Sequence, residues 1–138
     1  MGVSKFNGEG YFDLVPHAAL TKIDKEVRAW KPLVYVASPY AGDTETNTRN
    51  AIRYCRFAVD SGAIPIAPHL FLPLFMSEET EREEAMRMNK VLLSRCRELW
   101  VFGSTITEGM KAEIRCAKWR GMPIRRFTED CQEYTEEH

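Results

Sequence analysis

Four short runs rich in β-branched and aromatic residues punctuate the chain: "LVYVAS" from Leu33, "AIPIAPHL" from Ala63, "ELWVFG" from Glu98 and "PIRRF" from Pro123. Between them, apolar residues recur every three to four positions, the spacing of a helix with one buried face. Strands that read as continuous apolar runs, each followed by a helix, are those of a parallel sheet covered on both faces and joined by right-handed crossovers. The expected fold is therefore α/β, a flavodoxin/Rossmann-like three-layer sandwich with a parallel sheet of four to five strands. Pro65 has no N–H to give to a ladder, so the second strand belongs at a sheet edge, as in the order 2-1-3-4-5.

The crossover segments carry their own signals. After the first strand, Ala51, Ile52, Cys55, Ala58 and Val59 form an apolar stripe that stops at Gly62, suited to the left-handed position after a helix. In "SEETEREEAMRMNKVLLSRCR", helical from about Ser77, the inward face is read as Met88, Val91, Leu92 and Cys96. In "ITEGMKAEIRCAKWR" it is Met110, Ile114 and Ala117, with "TITE", Thr105 to Glu108, fitting a capping box. Three units result: a helical extension over 1–31, marked by "PHAALTKIDKEVRAW"; the α/β domain over 32–128; and an acidic tail over 129–138.

Composition narrows the partners. Nineteen basic against twenty acidic residues in 138 leave a net charge of −1, no field to draw a nucleic-acid polymer or an anionic membrane. No apolar run reaches the ~20 residues that span a bilayer, and "MGVSKFNGEG" lacks the apolar core of a secretion signal, so a cytoplasmic protein is expected. Cys55, Cys96, Cys116 and Cys131 are scattered, as are His17, His69 and His138; they read as packed thiols and separate imidazoles, with no metal site and no cofactor called for.

In a sheet of this order, ligands bind beyond the carboxyl ends of the strands, at the point where strand order reverses. Three segments meet there: "ASPYAGDTETN" with Ser38, Tyr40, Gly42 and Asn47; "APHL" with His69; and "FGSTITEGMKAE" with Ser104, Gly109, Met110 and Glu113. Loop N–H groups, hydroxyls and a helix start can cradle a phosphate or a sugar. Glu113 stands among small and apolar neighbours early in its helix. Its side chain either leans into the crevice or rests in solvent.

"VYVASPYAG", "APHL" and above all "GMKAEIRCAKWRGMPI" resemble the nucleoside 2-deoxyribosyltransferases and the related 2'-deoxynucleoside 5'-phosphate N-hydrolases, in particular a compact phage and bacterial branch of that superfamily without assigned function. The likeness runs over about residues 33 to 127 and is most specific in the spacing of Gly109, Glu113, Ala117, Gly121 and Pro123. It implies an enzyme that cleaves or transfers the N-glycosyl bond of a nucleoside, a nucleotide or a related base-sugar conjugate, with Glu113 as nucleophile and a covalent glycosyl intermediate. It also implies Tyr35 as the group that orients Glu113, His69 near a phosphate, and a homodimer or larger homo-oligomer. Tyr35 read without it is a core aromatic, and His69 a loop histidine. The apolar "HLFLPLFM" suits either a subunit contact or a lid.

Two positions depart from the family pattern. Asn89 stands where an Asp is expected to hold or protonate the leaving base, and an amide cannot act as a general acid. Weak chemistry, a proton from His69, or a base already cationic, such as nicotinamide, would each accommodate it. Lys111 replaces a Gly and either crowds the site, reaches an anionic group or is solvated. A binding module that holds a nucleotide derivative without turning it over is the alternative, and a purely structural domain the third reading.

Overall fold

A computed structural model describes residues 31–135; the helix expected within 1–31 and the last three residues of the tail lie outside them. Five strands form one sheet in the order β2-β1-β3-β4-β5. They are β1 (Leu33–Ala37), β2 (Ile64–Ile66), β3 (Glu98–Phe102), β4 (Ile124–Phe127) and β5 (Glu133–Tyr134), with α1 (Thr44–Asp60), α2 (Arg82–Ser94) and α3 (Glu108–Trp119) as the crossovers. The first four strands are parallel, as expected, with β1 between β2 and β3. Pro65 lies on the edge strand, opposite Val34. There its missing N–H costs no ladder bond.

The sheet is not parallel throughout. β5 comes from the tail and pairs antiparallel with β4, Arg126 opposite Tyr134 and Phe127 opposite Glu133. The turn between them is held by Thr128, whose Oγ1 accepts from the N–H groups of Asp130 and Gln132, both at 3.2 Å. Arg125 then ties the strands together. It donates to both Glu133 carboxylate oxygens at 2.7 and 2.8 Å, and its guanidinium lies 4.8 Å from the Trp100 ring centroid.

Because strand side chains alternate between faces, β1 divides the core in two. Val34 and Val36 face α1, while Tyr35 and Ala37 face α2 and α3. The α1 side is an aromatic stack, with Tyr54 on Phe102 at 4.5 Å and 12° and Phe102 on Phe127 at 4.8 Å and 15°. Phe102 is wholly buried between them, so Phe102→Ala is expected to lower stability by about 3–5 kcal/mol. Denaturant unfolding would read this as a lower midpoint at an unchanged slope.

The helix faces are rotated from the sequence reading in two places. On α1, Ala51, Tyr54 and Ala58 are buried, whereas Ile52 and Val59 are 56% and 45% exposed. The stacking partner that Tyr54 finds in Phe102 sets the phase of the helix. On α2, which begins at Arg82 rather than Ser77, Leu93 is buried and Val91 is 55% exposed. Ser77 to Glu81 form a separate turn in which the Glu81 carboxylate accepts from the Ser77 N–H at 2.9 Å. On α3, Met110, Ile114 and Ala117 face inward as expected. Gly62 and Gly121 take φ of +88° and +70° at the two helix ends, the left-handed conformation that favours glycine. No helix among the described residues is long and apolar enough to cross a membrane.

Candidate active site

Tyr35 sits mid-strand on β1, between Ile66 of β2 and Leu99 of β3. Strand alternation points its ring toward α2 and α3, and it is 1% exposed. Glu113 lies one helical turn after the buried Met110, on the edge of the α3 face that packs on the sheet. The two meet: the Tyr35 hydroxyl donates to Glu113 Oε2 in a short hydrogen bond. Burial pushes the Glu113 carboxyl up to about 7, partly offset by the hydrogen bond from Tyr35, which favours its charged form. Burial, and then the neighbouring Glu113, pushes the Tyr35 phenol far above its ordinary value. Tyr35 therefore remains a proton-bearing donor, and Glu113 is the group that titrates near neutrality.

Both line a cavity of about 250 Å³ at the carboxyl ends of β1 and β2. Its wall at β1 is Ser38 and Tyr40. Ser38 is the buried polar residue of the core, and its hydroxyl meets His69 Nε2 at 3.0 Å. Tyr40 stands edge-on to the His69 ring at 6.3 Å. Burial pulls the His69 imidazole down to about 4, so it is uncharged at neutral pH. Pro68 and Leu72, from two short 3₁₀ turns (Pro68–Leu70 and Leu72–Leu74), form the apolar side of the cavity. In the same segment Leu74 and Phe75 are 81% and 67% exposed.

The α2 wall carries Asn89, whose Oδ1 is buried without a hydrogen-bond partner. Gly109 and Met110 close the cavity at the start of α3. The cap of that helix is Thr107, accepting from the Met110 N–H at 3.2 Å, rather than Thr105. Glu108 and Lys111 pair on the surface at 3.2 Å, with Lys111 half exposed, so the lysine that departs from the family pattern points out of the cavity.

Gly42, Asn47 and Ser104 are placed elsewhere. Gly42 has φ +94° in the turn before α1, whose first turn is capped by Asp43. Asn47 donates to the carbonyls of Tyr40 and Ala41, both at 3.1 Å, and so fixes the loop that carries Tyr40. Ser104 gives its N–H and hydroxyl to the Glu129 carboxylate at 3.2 and 3.1 Å. Asn47 and Glu129 border a second, smaller polar hollow of about 110 Å³, which shares Ser38 with the first.

Cys116 and Glu129 are among the contributors that escaped the sequence reading. Cys116, taken for a packed thiol, lines the cavity one turn beyond Glu113; the three-residue spacing on one helix was the available signal. Glu129, assigned to the tail, anchors the β3–α3 loop, and nothing in its local sequence marks it. The four cysteines are free thiols, and among the described residues no cluster of His, Cys, Asp or Glu is arranged to hold a metal ion.

The sheet in this order, with its covering helices, has a nucleoside 2-deoxyribosyltransferase-like fold. A 2-desoxiribosyltransferase from Leishmania mexicana superposes with a TM-score of 0.57 at 13% identity, covering 70% of this chain and 64% of that one. A 2-deoxyribosyltransferase from Bacillus psychrosaccharolyticus superposes with a TM-score of 0.54 at 19% identity, covering 77% of this chain and 86% of that one. The chain thus spans about 64% of the length of the Leishmania protein. No curated protein matches the sequence. Over residues 32–127 the chain belongs to a family described as a domain of unknown function, DUF7768.

Proposed function

We propose that the protein cleaves or transfers the N-glycosidic bond of a nucleoside, a nucleotide or a related base-sugar conjugate, with Glu113 as nucleophile. The observation that carries this reading is the buried Tyr35–Glu113 pair lining a cavity at the strand ends. A carboxylate whose proton leaves near pH 7 is poised as a nucleophile at neutral pH, and its negative charge suits an oxocarbenium-like transition state. Tyr35 occupies one carboxylate oxygen and leaves the other free to attack the anomeric carbon. The base departs, and a glycosyl ester on Glu113 remains. Water or a second base then displaces Glu113 from the opposite face, so the two inversions restore the original configuration. Ser38, Tyr40 and His69 would hold the sugar or its phosphate on the β1 side, and Asn89 would face the base. The superposed structures support the fold of such an enzyme, and the activity for which those proteins are named motivates the substrate class.

The test is an exchange experiment. Nucleosides and their 5'-monophosphates are incubated with the protein and with isotopically labelled free bases, and the products are separated by chromatography. Labelled nucleoside appearing with retained configuration supports transfer, and free sugar without exchange supports hydrolysis. If neither forms while a nucleotide raises the melting temperature, the protein is a binding module and the catalytic reading fails.

A further inference from the structure

A glycosylated base leaves easily when it departs as a neutral molecule. A purine or pyrimidine that is neutral in the substrate must gain a proton as its C–N bond breaks. An N-glycosylated pyridinium needs none, because the bonding electrons neutralise its ring nitrogen. Which class a site serves follows from the protons it can supply.

The described residues around the cavity supply few. Glu113 and Tyr35 are engaged with each other at the nucleophile. His69 is held by Ser38 and is uncharged at neutral pH. Glu108 is bound to Lys111 at the surface, and Glu78 is exposed. Arg82 and Lys90 lie on the α2 side, both exposed. Tyr40 stands edge-on to the His69 ring on the β1 side, and Cys116 lies one turn beyond Glu113 on α3. On the α2 wall, where an acid would serve, stands the amide of Asn89 with its oxygen buried and unpartnered. An amide has no acidic proton, yet it pairs well with another amide, accepting from an N–H and donating to a carbonyl.

Resting on the proposed role of Glu113, we infer that the site takes N-glycosylated pyridinium carboxamides, and that Asn89 recognises the carboxamide. In the first step the Glu113 carboxylate bonds to the anomeric carbon, and the C–N electron pair returns to the ring nitrogen as a neutral pyridine carboxamide leaves. In the second, water replaces Glu113 at that carbon and one proton is released to solvent. The sum is pyridinium glycoside plus water to free sugar, pyridine carboxamide and one proton. A cavity of about 250 Å³ lies just below the ~300–1,000 Å³ usual for small-molecule sites, so it suits one base and sugar better than a dinucleotide.

The experiment compares nicotinamide riboside and its 5'-phosphate with adenosine, cytidine, their 2'-deoxy forms and the N-ribosyl pyridinium that lacks a carboxamide. Wild type, Glu113→Gln and Asn89→Asp are assayed for free base and for proton release in weak buffer. Expected are Glu113-dependent release of nicotinamide with one proton per turnover, and release of neutral bases slower by ~100-fold or more. The bare pyridinium should react at least ~10-fold less efficiently than nicotinamide riboside. Asn89→Asp should speed neutral-base release and leave nicotinamide release unimproved. Glu113-dependent release of neutral bases as fast as nicotinamide overturns this inference and leaves the nucleophile standing. Release indifferent to Glu113→Gln, or no release from any compound, overturns both. The wild-type comparison decides the substrate class even if Asn89→Asp folds poorly.

Discussion

Glu113→Gln is expected to abolish base release, by ~10³-fold or more, and at the same time to make the protein more stable in alkaline buffer. The first effect follows from removing the nucleophile while leaving its shape, since a neutral amide cannot form the glycosyl ester. The second follows from burial. The carboxyl's ordinary value of 4.5 rises to about 7 in the fold. Between these values the folded chain keeps a proton that the unfolded chain has released, so wild-type stability falls as the pH climbs through that window. Glutamine does not ionise and escapes the loss. Melting curves of the two proteins should coincide near pH 4 and separate by pH 8, with the variant higher by up to ~3 kcal/mol, on the order of 10 °C. Equal melting temperatures at pH 8 would mean that Glu113 is solvated rather than buried against Tyr35. Retained base release would remove it as nucleophile.

Tyr35→Phe separates positioning from packing. The ring remains in its place on β1, while the donor to Glu113 Oε2 is lost. A hydrogen bond to a charged group contributes roughly 1.5–3 kcal/mol, so turnover at pH 7 should fall roughly 10- to 100-fold. That bond also holds the Glu113 carboxyl down against the upward push of burial. Without it the acid limb of the pH–rate profile should move to higher pH, and the deficit should narrow in alkaline buffer. A loss of the same size at every pH would indicate a merely structural tyrosine.

The elements that were legible in the sequence owe it to their environment. β1, β3 and α3 bury entire runs or a whole face, and a buried surface imposes its period on the residues that cover it. Pro65 marked its edge strand because a missing N–H acts on the backbone directly. The phases of α1 and α2 were harder, since Ile52, Val59 and Val91 have the right chemistry for a core and remain exposed. Their apolar stripes suggest more than one rotation, and for α1 the aromatic stack of Tyr54 on Phe102 selects one. β5 was illegible for a different reason. Its turn places Cys131 at φ +61°, a conformation usually signalled by Gly or Asn, and the strand is held by Arg125 pairing with Glu133.

The candidate site divides in the same way. Glu113, Ser38, Tyr40 and His69 were nominated because strand ends in a sheet of this order converge, Tyr35 only through the family resemblance, and the structure gathers all five around one cavity. Gly42, Asn47 and Ser104 were nominated on the same ground, but Asn47 and Ser104 are bonded to loop carbonyls and to Glu129 and so shape the loops, and Gly42 takes φ +94° in the turn before α1. By itself the sequence determined the order of the elements from β1 to β4, the edge position of β2 and the strand ends where a site can form, because periodicity and backbone chemistry act locally. Only the tertiary structure decided that the Tyr35 hydroxyl meets Glu113 across 78 positions of chain, that burial pushes that carboxyl up to about 7 and that the Asn89 oxygen is left without a partner. Distance, desolvation and hydrogen-bond satisfaction depend on which surfaces pack together, and no local stretch of sequence encodes them.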